Sequence, residues 1–217
     1  MAEFESLATE EALDKHVKRH AFDRLLMLSD GVFAIATTLA AIEIKLPEHA
    51  DTLSDMLAGS GRALVAYALS FAITALFWVQ HRDLFARLHR VDMPMTIMTL
   101  LMLLTIAIIP SAIHVVYAPG GTGVPFQFYA LTQLCCGVVN FTMWAYGAFR
   151  PGLMKAEVPM RYRIARVVGA ATMPVVLLPS ILLPIGQAPI AILPALALMI
   201  IFRRIVLPRW FPVKATT

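Results

Sequence analysis

Long apolar runs separated by basic residues are the feature of this 217-residue chain that most restricts its fold. Hydrophobic residues make up 59% of the sequence and charged residues only 15%, whereas a soluble domain averages roughly 45–50% and about 25%. Because a helix needs about 20 mostly apolar residues to cross a bilayer, we expect an all-α, polytopic membrane protein with six transmembrane helices. The predicted spans are Arg24–Leu46, Arg62–Gln80, Met93–Tyr117, Phe126–Phe149, Tyr162–Leu183 and Ala188–Phe202.

Lysine and arginine fall almost entirely on one side of this six-span layout. Sixteen of the 18 would lie on the side that holds both termini, and only Lys45 and Arg62 on the other. Cytoplasmic loops of membrane proteins carry such an excess of Lys and Arg, so both termini are expected to be cytoplasmic. The predicted organisation is a cytoplasmic N-terminal segment over 1–23, a six-helix transmembrane domain over 24–207 and a cytoplasmic tail over 208–217.

The sequence gives little support for an enzyme, a metal centre or a nucleic-acid-binding protein. It contains no Gly-x-Ser-x-Gly nucleophile elbow, no His-Glu-x-x-His and no paired intramembrane acids. His81 and His89 have no further ligands at a recognised spacing, and the adjacent Cys135 and Cys136 imply neither a disulfide framework nor a metal site. The basic residues punctuate the apolar runs instead of forming one patch, so nucleic acid is not an expected partner.

The first predicted span, "RLLMLSDGVFAIATTLAAIEIKLP", places polar residues in an otherwise apolar helix. Residues three, four and seven apart share a helix face, so Ile35, Thr38 and Ile42 form one stripe. At about 100° per residue, Asp30 lies about 110° around from the middle of that stripe. Ordinary helix packing is the alternative interpretation of the stripe, and for Asp30 a structural hydrogen-bond or ion-pair anchor competes with a direct role in transport.

The start of this span resembles the R-x-x-x-F-S-D motif of the transmembrane protein 175 family, whose members are potassium channels of lysosomes and, in single-repeat form, of bacteria and archaea. The motif reads "RLLMLSD" here, with Leu28 in place of Phe. The continuation "GVFAIATTLAAIEIKLP" strengthens the likeness, and "FWVQHRDLF" is similar to the family's second span. The polar residues in these stretches include Arg24, Ser29, Asp30, Trp78 and His81.

The resemblance implies a homotetramer in which the first helix of each subunit lines a central pore. Carried over by position, Ile35 and Ile42 would form an aliphatic constriction. Thr38 between them would contribute a hydroxyl ring that gives potassium preference, with potassium bound near it. The residues implied to form a structural polar network with neighbouring helices are Arg24, Ser29, Asp30, Trp78 and His81.

The predicted function is therefore a potassium-selective cation channel in a bacterial cytoplasmic (inner) membrane, with lipid, potassium and copies of itself as partners and no cofactor. A secondary transporter of a small solute remains the main alternative, because Pro174 and Pro179 interrupt the fifth span and broken helices form solute sites in transporters. A non-transporting scaffold that holds partners through its basic cytoplasmic loops is the second alternative.

Overall fold

The computed structural model describes residues 2–42, 44, 46–47, 49–117, 123–183 and 201, and these contain five long α-helices. Four of them, all but the fourth, include a stretch long and apolar enough to cross a membrane. Apart from position 201, the predicted sixth span over 188–202 lies outside the described residues, as does the predicted tail over 208–217. The helices are α1 (Ala2–Ile42), α2 (Leu53–Arg87), α3 (Met93–Tyr117), α4 (Val124–Phe149) and α5 (Met160–Leu182).

Helix α1 begins at Ala2, so the polar segment that precedes the first span is part of the same helix. Residues 2–30 contain neither Gly nor Pro, and strong helix formers such as Ala, Leu, Glu and Lys are frequent among them. At a rise of about 1.5 Å per residue the 41 residues extend about 60 Å, roughly twice the thickness of a hydrocarbon core. Its apolar, membrane-length portion is Arg19–Ile42.

Helix α2 is longer at both ends than the predicted span over 62–80, and the sequence-based boundaries were wrong here. It begins at Leu53 because Thr52 forms a capping box: its hydroxyl accepts from the Asp55 backbone N–H at 3.2 Å, and the Asp55 carboxylate accepts from the Thr52 N–H at 3.1 Å. At the other end the helix continues through the charged segment to Arg87. Much of the expected outer loop and of the expected inner loop is therefore helical.

Helix α4 packs between α3 and α5, while α1 packs against α2 and α3. Helix α4 carries polar side chains that lower its hydropathy, and three of these, Thr132, Gln133 and Asn140, are buried. The Asn140 side-chain amide donates to the Gln80 side-chain oxygen at 3.1 Å and ties α4 to α2, which is how polar residues join helices inside membranes. The Pro174 ring packs against Gly137, where an added Cβ would lie 3.1 Å from Pro174 Cδ.

The connections α2–α3 and α4–α5 meet at one end of the bundle. The backbone N–H of His89 donates to the carbonyl oxygen of Leu153 at 2.8 Å, and that of Lys155 donates to the carbonyl oxygen of Arg87 at 2.9 Å. This short antiparallel pairing satisfies backbone groups just beyond the helix ends. It also brings two of the basic segments of the chain to the same end of the protein.

Replacing Gly59 with Ala is expected to destabilise the protein, because Pro47 packs directly on this turn of α2. A Cβ at Gly59 would lie 2.5 Å from Pro47 Cγ, inside van der Waals contact. Overpacking costs about 1–3 kcal/mol and outweighs the gain of up to about 1 kcal/mol in helix propensity. Gly61→Ala is the matched control, since a Cβ there meets no other described side chain or loop within 4 Å. Thermal unfolding in detergent should show a lower midpoint for Gly59→Ala alone; equal midpoints would contradict the close packing.

Candidate functional site on the first helix

Two opposite faces of α1 differ completely in what they contact. One face is buried against α2 and α3, and the other is not covered by any described part of the chain. The buried residues recur every three or four positions, and so do the exposed residues, so each set forms a continuous stripe along the helix. The buried stripe consists of Leu25, Ser29, Phe33, Ala36 and Ala40, and the exposed stripe of Leu28, Gly31, Ile35, Thr38 and Ile42.

The exposed stripe is apolar except for one hydroxyl. Ile35 is 58% exposed and Ile42 is 76% exposed, and Thr38 lies between them and is also exposed. No described residue outside this turn of α1 lies within 4 Å of the position that a Cβ would take at Gly31. Among the described residues, the stripe is therefore an apolar surface without a cover.

The Thr38 hydroxyl donates within its own helix, since its oxygen lies 3.0 Å from the carbonyl oxygens of both Ala34 and Ile35. A hydroxyl has one hydrogen and two lone pairs, so this bond leaves the lone pairs free to accept or to contact a cation. Thr37 makes the same kind of bond, to Phe33 and Ala34, but points to a different side of α1. In the described part of the chain, no group of three His, Cys, Asp or Glu side chains could hold a metal ion.

The motif carboxylate joins α1 to α2. The indole Nε1–H of Trp78 donates to Asp30 Oδ1 at 2.9 Å, and the guanidinium of Arg82 lies 4.9 Å from the centre of the Trp78 ring. A hydrogen bond to a charged acceptor is stronger than one between neutral groups, and cation–π contact adds to it. Of the two contacts, the Asp30–Trp78 hydrogen bond joins α1 to α2 and so constrains the rotation of α1 relative to α2.

The remaining residues of the predicted polar network have separate surroundings. Ser29 is buried, but its hydroxyl donates to the Leu25 carbonyl oxygen of the same helix at 2.8 Å. His81 is buried between two aromatic rings, with its centroid 4.3 Å from that of Phe85 and 5.9 Å from that of Phe33. Arg24 is exposed, and its guanidinium group has no hydrogen bond or ion pair with the described residues. Among the described residues, a hydrogen bond thus joins Asp30 to Trp78, and no hydrogen bond joins the side chain of Arg24 or Ser29 to either of them.

A groove of about 500 Å³ lies between α1 and α2 on the side of Asp30. Its two threonine hydroxyls donate to backbone carbonyls of their own helices, so the groove presents acceptor oxygens among apolar and aromatic side chains. Neither threonine was predicted as a site residue, although Thr37 lies seven positions from Asp30 and Thr74 four positions from Trp78, spacings that place each pair on one helix face. The groove is lined by Asp30, Phe33, Ala34, Thr37, Phe71, Thr74, Ala75 and Trp78.

An ionic cluster at the end of α2 was not predicted, because the predicted second span ends at Gln80 and leaves Asp83 outside it. The Asp83 carboxylate is only 16% exposed and forms ion pairs with Arg87 of its own helix and Arg166 of α5. The Tyr162 hydroxyl donates to it at 3.1 Å, and the Arg166 guanidinium donates to the Tyr162 hydroxyl at 2.7 Å. The four-residue spacing of Asp83 and Arg87 was the available signal, since such pairs stabilise a helix.

Part of the chain that includes the exposed stripe of α1 is similar to a described protein family. Residues 24–110 match the family described as endosomal/lysosomal potassium channel TMEM175. The chain is 38% identical over 89 residues to a potassium channel of Streptomyces collinus and 33% identical over 132 residues to one of Chamaesiphon minutus. It is 27% identical over 146 residues to the Bos taurus endosomal/lysosomal proton channel TMEM175. The match to the Streptomyces protein covers 40% of this chain and 43% of the relative, and the match to the Chamaesiphon protein covers 58% and 65%. The match to the bovine protein covers 60% of this chain and 30% of the relative.

Two solved structures share the fold. The crystal structure of a lysosomal potassium-selective channel TMEM175 homologue from Chamaesiphon minutus superposes with a TM-score of 0.66 at 24% identity, over 84% of this chain and 96% of the other. A nanobody-fusion complex of the potassium channel MtTMEM175 gives a TM-score of 0.64 at 18% identity, over 84% and 92% of the two chains. The chain spans less than two thirds of the length of the curated relatives it matches.

Proposed function

We propose that this chain, a member of the TMEM175 family, is a subunit of a potassium-selective cation channel whose pore is lined by α1. The observation that carries the proposal is the exposed stripe of α1, which the described part of the chain leaves uncovered. The two bacterial relatives are named potassium channels, and the segment matched to the family, 24–110, begins with the motif and contains the stripe.

A symmetric assembly gives the exposed stripe a function that a single helix lacks. In a homotetramer, four copies of α1 around one axis turn Ile35 and Ile42 into two apolar rings, with the hydroxyls of Thr38 forming a ring between them. Apolar rings close a pore by excluding water from it. The constriction proposed for this channel therefore consists of aliphatic side chains.

Selection for potassium is proposed to reside at Thr38. Its hydroxyl hydrogen is used inside the helix, as the 3.0 Å distances to two carbonyl oxygens indicate. In the tetramer, each of the four hydroxyl oxygens would therefore point a lone pair toward an ion on the axis. Oxygen ligands can replace part of the water shell of a permeating cation. The permeant potassium ion is the substrate of the channel, which needs no cofactor.

The polar motif is proposed to hold the pore helix in place. The Asp30–Trp78 hydrogen bond at 2.9 Å already connects α1 to α2, and His81 packs against Phe33 of α1. In the assembled channel, Arg24 and Ser29 are proposed to complete this network. Asp30 would then act by positioning α1, without direct contact with the ion.

The proposed setting is the bacterial inner membrane, crossed several times, with both termini in the cytoplasm. The paired connections that carry Arg87 and Lys155 lie at one end of the bundle, which is the arrangement that the asymmetric distribution of Lys and Arg requires. That end would be cytoplasmic.

Potassium flux into liposomes that contain the purified full-length protein tests the proposal. Thr38→Val keeps the side-chain shape and removes the hydroxyl from all four subunits, and is expected to lower the preference for potassium over sodium about tenfold, which corresponds to about 1.4 kcal/mol summed over the ring. Thr37→Val removes an equivalent hydroxyl that makes the same backbone bonds on another side of α1, and should leave the preference unchanged. Equal effects of both substitutions would contradict the assignment of Thr38.

Other outcomes of the same assay distinguish the alternatives. Saturable uptake that other solutes compete with, without single-channel currents, would indicate a secondary transporter. A monomer or dimer without flux would indicate a scaffold, so the mass of the detergent-solubilised particle is measured in parallel. Because the bovine relative is named a proton channel, a pH-sensitive dye in the same liposomes reports proton flux.

A further inference from the structure

An excess of basic side chains lies at the end of the bundle where α2 and α4 terminate. The segments 82–92 and 150–166 contain eight Lys and Arg but only three Asp and Glu. Two of the three acids are used inside the protein: Asp83 pairs with Arg87 and Arg166, and Asp92 accepts from the Tyr146 hydroxyl at 2.6 Å and from the Met95 N–H at 3.1 Å. The positive charge at this end is therefore not balanced by carboxylates.

Three of these cations lie on connections that the backbone pairs together. Arg90 follows the segment that hydrogen-bonds to residues 153–155, and Arg150 and Lys155 lie on the partner segment. Arg90 and Arg150 are exposed, their guanidinium groups have no hydrogen bond or ion pair with the described residues, and both act electrostatically on the Tyr146 hydroxyl. The Lys155 ammonium donates one hydrogen to the Ala86 carbonyl oxygen at 2.8 Å, which leaves two for another acceptor.

Exposed apolar side chains border these cations. Met93, at the start of α3, is 71% exposed and follows Arg90 by three residues; Phe149, at the end of α4, is 58% exposed and precedes Arg150. Cationic groups beside uncovered apolar surface at helix ends match the boundary between lipid headgroups and acyl chains. A soluble anion would contact only the cations, whereas a phospholipid would contact the cations with its headgroup and the apolar side chains with its acyl chains.

We propose that Arg90, Arg150 and Lys155 form a binding site for the phosphate of an anionic phospholipid. The two guanidinium groups match phosphate oxygens in charge and geometry, the ammonium adds a third donor, and Met93 and Phe149 contact the acyl chains. This site is independent of the proposed pore, since none of its residues belongs to α1.

Native mass spectrometry of the full-length protein in detergent, with phosphatidylglycerol or phosphatidylcholine added, tests this site. The wild type is expected to retain phosphatidylglycerol in preference to phosphatidylcholine. The Arg90→Gln, Arg150→Gln double variant should bind it about 25-fold more weakly, at about fivefold for each arginine near the membrane surface. The Arg90→Lys, Arg150→Lys variant should keep most of the binding, and an unchanged thermal midpoint shows that the Gln variant is folded.

Arg161→Gln is the matched control, because Arg161 is exposed at the same end but lies in the first turn of α5, outside the paired connections. It should bind phosphatidylglycerol as the wild type does. An equal loss in Arg161→Gln would show a diffuse charge effect and overturn the site, as would undiminished binding by the double Gln variant. Displacement by inorganic phosphate at constant ionic strength would instead assign the site to free anions. Each of these results is obtained whether or not the protein conducts potassium.

Discussion

Asp83→Asn is expected to lower the thermal unfolding midpoint of the protein by about 4–8 °C. Asp83 is the acid that the structure places between Arg87 and Arg166, with side-chain exposures of 16%, 28% and 34%. Removing one partner of a fully buried ion pair costs about 3–5 kcal/mol because an uncompensated charge remains. Partial exposure reduces this to about 2 kcal/mol, and each kcal/mol shifts the midpoint by about 2–4 °C in a chain of this size.

Two further variants test whether the lower midpoint results from loss of the Asp83 ion pairs. Glu157→Gln removes an exposed acid at the same end of the bundle and should not change the midpoint. Adding Arg166→Gln to Asp83→Asn removes one of the stranded cations, so the double variant should recover part of the loss. Additive losses in the double variant would mean that Asp83 and Arg166 are not coupled, contrary to the contacts observed between α2 and α5.

The Asp83 cluster also shows why a single sequence predicts helices better than it predicts their ends. The apolar runs located the membrane-length parts of α1, α2, α3 and α5, because hydrophobic length is a property of one segment. The extension of α2 to Arg87 was missed because its charged last turns look solvated in isolation. They are stabilised by Tyr162 and Arg166, which lie about eighty residues away in sequence.

The candidate site, too, could be predicted only in part from the sequence. Helical periodicity placed Ile35, Thr38 and Ile42 on one face and Asp30 on another, and the structure has all three stripe residues exposed and Asp30 bonded to Trp78. Periodicity can assign residues to faces, but it cannot say which helix covers a face. The pairing of Asp30 with Trp78 depends on how α1 packs on α2 and α3, and so does the exposure of the stripe within the described part of the chain. Whether four such stripes meet on an axis stays a prediction.

Ile35→Asn is expected to raise potassium flux through reconstituted protein at least tenfold. If Ile35 forms an apolar ring, water is excluded there, and the carboxamide of Asn would hydrate the constriction. A tenfold gain requires the barrier to fall by only about 1.4 kcal/mol, which is small beside the cost of desolvating an ion. Thallium or potassium flux into liposomes, at matched protein incorporation, measures this change.

Ile35→Val is the control at the same position, because it changes the size of the side chain and keeps the ring apolar; its flux should rise much less than that of the Asn variant. The opposite pattern has a clear physical meaning. The stripe is exposed in one chain, with Ile35 at 58%, and lipid could cover it as well as a pore could contain it. A polar side chain facing lipid is costly and opens nothing, so Ile35→Asn would then reduce incorporation into the membrane and leave the flux per molecule unchanged. That result would remove α1 from the axis of the channel, and the roles proposed for Thr38 and Ile42 with it.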